Sequence, residues 1–188
     1  MDLEEVVSDA AEALVRIDRS GQAFRAFQPG VGPYGEPQVV RGIASHFNEL
    51  PKYHGTFRTR RTPDLLIPDQ WAIEFKITRP YGDTGKEAEN WSVNLLHPYP
   101  GNVSTIGDCY KLARFSDPER GAVAVSGYER APPRIDITPL VESFEVIAKH
   151  VAHIRLSSRI EAFREGLVDP VHQSLKIFAW EVLERIEQ

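Results

Sequence analysis

The segment RTPDLLIPDQWAIEFKI, residues 61–77, alternates apolar and polar positions yet carries Asp64, Glu74 and Lys76. Two carboxylates brought close together repel, and one tends to keep its proton. A divalent cation removes that conflict by binding both. Mg²⁺ takes oxygen ligands, keeps several waters, and commonly draws one or two carboxylates from a protein. Such an ion lowers the pKa of a bound water and stabilises charge on a phosphoryl oxygen. An ammonium beside it can orient the attacking water and neutralise charge developing at phosphorus. These residue types suit phosphodiester hydrolysis.

For that chemistry the three side chains must share a face. Leu65–Ile67 and Trp71–Ile77 read as antiparallel strands joined by Pro68-Asp69-Gln70, with Pro68 and Asp69 at the centre of a type I turn. A three-residue loop pairs Ile67 with Trp71, so Asp64 falls opposite Glu74. Directly paired residues share a face, about 5 Å apart at Cβ. Lys76, two residues on, joins them, while Ile73, Phe75 and Ile77 point into a core. A loop one residue shorter or longer would separate the carboxylates. The alternative for the same residues is an exposed hairpin face with a cross-strand salt bridge.

Pro63-Asp64, nine intervening residues, then Glu74-Phe75-Lys76 resembles the signature of the PD-(D/E)XK, or restriction-endonuclease-like, nuclease superfamily. The resemblance covers about residues 36–126. It implies a mixed four-stranded sheet flanked by helices, with the motif on its second and third strands. It further implies that Asp64, Glu74 and the Phe75 backbone carbonyl hold Mg²⁺, for which Mn²⁺ can substitute, and that Lys76 is the catalytic lysine. An acid from the helix before the sheet often joins such a site. Glu36 is the candidate, Glu49 its rival, and a plain helix N-terminal acid is the simpler reading of Glu36. DNA is the expected substrate, with RNA also open. The alternative is a non-catalytic nucleic-acid-binding or assembly module that retains the fold.

Other segments could serve the same site. KYHGTFRTRR, residues 52–61, holds Lys52, Arg58, Arg60 and Arg61 without an acid. These arginines, with Arg79, are candidates for phosphate contacts; the alternative is a solvated edge strand guarded by charge. The connection over 79–103 is long for a compact domain, and Lys86, Trp91, Asn94, His97 and Tyr99 in it could touch substrate. Asp108 and Lys111 read as a helix cap and a solvent-facing residue, with either able to reach the site. Cys109 reads as a core cysteine.

The rest of the chain must support the hairpin. Helices are predicted over 3–17, 37–50 and 105–115, two or three strands within 53–78, and further strands over 121–128 and 134–138. A helix from Pro139 to about Leu156 and two more over 158–167 and 170–186 complete a helical C-terminal extension. The expectation is one α/β (α+β) domain over 1–188, with a small mixed sheet in a core of about 36–138. The broad apolar stripe of the last helix suggests a homodimer. With 41 % apolar and 26 % charged residues the composition is that of a globular protein, and the net charge of −5 argues against a general nucleic-acid coat. One cysteine, no apolar run of membrane length and no secretory leader point to a cytoplasmic protein. P-loop, dinucleotide-binding and zinc motifs are missing.

Overall fold

The computed structural model describes residues 1–21, 29–59, 62–98, 104–115 and 118–185. Among these, a sheet of seven strands is covered by helices on both faces. The helices are α1 (Leu3–Arg19), α2 (Glu36–Glu49), α3 (Val93–Leu96), α4 (Thr105–Leu112) and α5 (Thr138–His150). The strands are β1 (Phe57–Arg58), β2 (Leu65–Ile67), β3 (Trp71–Thr78), β4 (Arg120–Glu129), β5 (Ile154–Leu156), β6 (Ile160–Glu165) and β7 (Ser174–Arg185). Their order is β1-β2-β3-β4-β7-β5, with β6 also on β7. Only β3 and β4 pair in parallel, joined by the crossover through α3 and α4.

Strand alternation splits the core in two. Trp71, Ile73, Phe75 and Ile77 of β3 join α1 and α2 in one cluster. Ala72 joins Cys109 and Leu112 of α4 and Phe144 of α5 in the other. Glu74 and Lys76 alternate with the first set, so they project toward the α4 side. The register is Leu65↔Ile73, Leu66↔Ala72 and Ile67↔Trp71, as the three-residue loop requires. The turn itself differs from expectation. Gln70 N–H donates to Ile67 O at 3.0 Å, but Asp69 has φ 60°. Positive φ at the third turn position belongs to type II rather than type I, and aspartate tolerates it.

The C-terminal third departs most from the sequence reading. The segments expected as helices over 158–167 and 170–186 are β6 and β7, and α5 stops at His150. Residues 134–138 form no strand but turn into α5, and strand structure in 52–61 is limited to Phe57–Arg58 among the described residues. The helix expected over 105–115 ends at Leu112, and its cap is Ser104, whose Oγ accepts from Gly107 N–H at 3.1 Å. The small four-stranded sheet with a helical extension is thus a seven-stranded sheet whose last strands lie inside it.

The physical reason is visible in β7. Leu175, Ile177 and Ala179 pack on the α1/α2 side, while Phe178, Trp180 and Val182 pack on the α4/α5 side. The broad apolar stripe of a supposed helix is the two buried faces of a central strand. Its neighbours are β4 on one edge and β5 and β6 on the other. Of the residues that motivated a homodimer through C-terminal helices, Leu175, Ile177, Phe178, Trp180 and Val182 are buried within the chain, while Leu183 stays exposed.

Candidate active site

Five charged side chains from α2, α4, β3 and the start of β2 meet around Lys76 and Glu74. Asp64 leads into β2, Glu74 and Lys76 lie on β3, Glu36 opens α2, and Asp108 lies on α4. Glu74 is 5 % and Lys76 8 % exposed, which rules out the exposed hairpin face. Charged groups this buried are kept only when paired or given a ligand.

The Asp64 carboxylate accepts a 2.9 Å hydrogen bond from Phe75 N–H, so it is fixed by the backbone of the strand that carries Glu74. The two carboxyl groups are close enough to share a hydrogen bond. Burial, then the Asp64 and Asp108 charges, push the Glu74 carboxyl up to about 8. This is the carboxylate conflict that the register implies, held in place by the fold.

Lys76 has a different environment. Its Nζ lies 2.7 Å from Asp108 Oδ2 and 3.4 Å from Glu36 Oε2, and it donates to its neighbour's carbonyl, Phe75 O, at 3.2 Å. Burial works to lower its pKa. The Asp108 charge and then the Glu36 charge outweigh it, so the ammonium is held above the ordinary lysine value. Lys111 Nζ meets the other Asp108 oxygen at 2.5 Å. Asp108 is therefore more than a helix cap, and it belongs to the site. The sequence signal was its place one turn into a helix that follows the lysine strand.

Glu36 occupies the first turn of α2 behind Gly35, where the helix dipole favours an acid. Its side chain remains 33 % exposed and opens toward solvent beside Lys76. Burial raises its pKa, Lys76 opposes, and Asp64 adds to the rise. The rival Glu49 pairs instead with Arg16 and His46 between α1 and α2.

Of the basic candidates, the described Arg58 and Arg79 serve other places in the fold. Arg58 pairs with Leu65, so it lies on the face opposite Asp64. Arg79 donates from NH1 to Gly32 O at 2.7 Å and thereby ties the loop before α2 to the end of β3. Arg60, Arg61 and Tyr99 lie outside the described residues. Cys109 is fully buried, with its thiol pushed up by burial and by the Asp108 charge.

Among the described residues no group of three or more His, Cys, Asp or Glu side chains is arranged to hold a metal ion unaided. The Asp64–Glu74 pair is the acidic share that Mg²⁺ commonly takes, with water filling the remaining positions. A carboxyl raised to about 8 first by burial and then by an adjacent carboxylate is one whose charge a bound cation would favour. The donor set fits a hard cation. The Phe75 carbonyl, already accepting from Lys76, has a second lone pair for it.

Compared with models of protein families, with curated proteins and with solved structures, the chain matches none. No helix among the described residues is long and apolar enough to cross a membrane.

Proposed function

We propose that this protein hydrolyses phosphodiester bonds of nucleic acid with the help of Mg²⁺ or Mn²⁺, DNA being the substrate that the PD-(D/E)XK resemblance implies. One observation carries the reading. Two crowded carboxylates, half-buried Asp64 and buried Glu74, adjoin a buried ammonium that two further carboxylates keep charged.

Asp64 and Glu74 are the residues that would hold the cation. When bound, it would supply Lewis acidity toward a phosphoryl oxygen and a more acidic water. The chain's own groups account for the rest. The hydrogen bond from Phe75 N–H holds the Asp64 carboxylate beside the strand that carries Glu74. Lys76 keeps its proton near neutrality, so it offers a compact positive charge to an anionic centre. Asp108 holds that ammonium from behind, where no solvent reaches. Glu36 is the acid with free surface, placed to hydrogen-bond an incoming water or to take its proton.

The deciding experiment is cleavage of single-stranded and duplex DNA and of RNA, with Mg²⁺, Mn²⁺ or EDTA, by the wild type beside Lys76→Ala. Cation-dependent cleavage by the wild type, lost in the variant, is expected. Binding without cleavage under every condition would replace the reading with a non-catalytic nucleic-acid-binding module.

A further inference from the structure

A cleft of about 800 Å³ opens beside the charged cluster, sharing Glu36 with it. It lies between the loop before α2 and the 79–94 connection. Its size is that of a small-ligand site. The charges lining it are wrong for a phosphate backbone. Among the described lining residues, Glu36, Asp83 and Glu89 face one cation, Arg79, whose guanidinium already donates to the Gly32 carbonyl, and Glu36 also meets Lys76 from outside the cleft. A polyanion would be repelled along this wall.

The remaining lining has a different character. Gln38, Asn90 and Asn94 bring side-chain amides, each both donor and acceptor, and Trp91 adds a half-buried indole. Asn90 and Asn94 are exposed to the cleft's solvent. Amides paired with an aromatic surface suit a flat, neutral group with donors and acceptors on its edge. A nucleobase is such a group, once out of the helical stack.

The geometry points to a base-binding subsite: the cleft takes an unpaired nucleobase next to the bond to be cut, which makes single strands and frayed or unpaired ends the preferred substrate class. This deepens the nuclease reading and rests on it for the word substrate. The selection follows from energy. A continuous duplex must unstack and unpair a base to fill the cleft, whereas a single strand has already done so.

Trp91 allows a test that needs no cleavage. Of the three tryptophans, Trp71 and Trp180 are each 1 % exposed, so a base entering the cleft quenches chiefly Trp91. Tryptophan emission is followed in EDTA while a short oligothymidylate, a blunt hairpin duplex or inorganic polyphosphate is added. Quenching by the oligothymidylate alone is expected, and Trp91→Phe should remove it. Asn94→Ala and Asn90→Gly should each weaken oligothymidylate binding, on the order of tenfold for the pair combined. Glycine suits position 90, where φ is 56°. Circular dichroism confirms that each variant is folded. Equal quenching by polyphosphate or by the blunt duplex would overturn the proposal, as would an oligothymidylate affinity untouched by both amide changes. Cleavage without quenching would leave the nuclease reading standing and remove the base site. Quenching without cleavage would do the reverse.

Discussion

Lys76 Nζ lies 2.7 Å from Asp108 Oδ2, and the Asp108 side chain has no exposed surface. Both charges have left water, so each depends on the other. Removing one partner of a buried pair leaves an uncompensated charge at a cost of about 3–5 kcal/mol. Asp108→Ala is expected to lose stability of that order in urea unfolding at neutral pH. The sign agrees with the raised Lys76 pKa. A raised lysine contributes its stability fully below the ordinary lysine value and loses it as pH climbs through the folded one. The milder Asp108→Asn removes the largest influence opposing burial, so the ammonium should give up its proton at lower pH. The alkaline limb of the rate profile should then move toward neutrality; an unmoved limb would detach Asp108 from the reaction.

Glu74 supplies a pH dependence of the opposite sense to an ordinary paired carboxylate. Burial first, then Asp64, raises its pKa from 4.5 to about 8. Between those values the folded state binds a proton that the unfolded state has released. Stability is therefore highest at and below 4.5 and declines as pH rises toward about 8. Each pH unit in that window is worth at most about 1.4 kcal/mol. In EDTA, Glu74→Gln should flatten this decline and be more stable than the wild type at pH about 8, because a neutral amide avoids the repulsion. Parallel wild-type and variant stability curves across the window would refute the assignment.

A cation should reverse the same penalty. Mg²⁺ that binds only the folded site stabilises it by mass action, by about 2.7 kcal/mol at a hundredfold excess over Kd. The wild-type melting temperature is expected to rise with Mg²⁺ or Mn²⁺. Asp64→Asn and Glu74→Gln should each lose that rise and all detectable cleavage while remaining folded. A cation-dependent shift that survives both substitutions would put the metal elsewhere.

How far the sequence reaches is seen by setting the hairpin beside the C-terminal strands. The Asp64–Glu74 register follows from an odd loop and a period of two, and both are local properties. Asp108 is separated from Lys76 by a crossover, and its cap-like place in a short helix gave it a sufficient local reason. Only the packing of α4 on β3 shows that it faces the lysine. In Ser174–Arg185, seven of twelve residues are apolar and Ile177 to Trp180 run without a break, so helical and strand spacings both find a stripe. Periodicity cannot separate them there; the aromatic and β-branched residues Phe178, Trp180, Ile177 and Val182 were the better guide.

Arg58 shows the same dependence on register in the other direction. Its type and neighbours suggest a phosphate contact, but pairing with Leu65 turns it from the Asp64 face. Arg58→Ala is accordingly expected to leave DNA affinity and its salt dependence unchanged in fluorescence anisotropy. A salt slope smaller by about one would return this residue to the phosphate backbone.

Trp180 tests the corrected architecture most directly. It is 1 % exposed, lies with its ring centroid 4.9 Å from that of Phe144, and donates from Nε1 to Glu145 at 2.9 Å. On an outward helix face its loss would cost within about 0.5 kcal/mol, unless a second subunit covered it. In a central strand, truncation leaves a cavity between β7 and α5 and frees the Glu145 partner. Trp180→Ala should then cost about 3–5 kcal/mol in urea unfolding, a large part of an ordinary domain's margin. Because β4, β5 and β6 of the same chain flank this strand, the loss should not depend on protein concentration. A loss that grew on dilution would mean that Trp180 is buried by another subunit, and the strand assignment would fail with it.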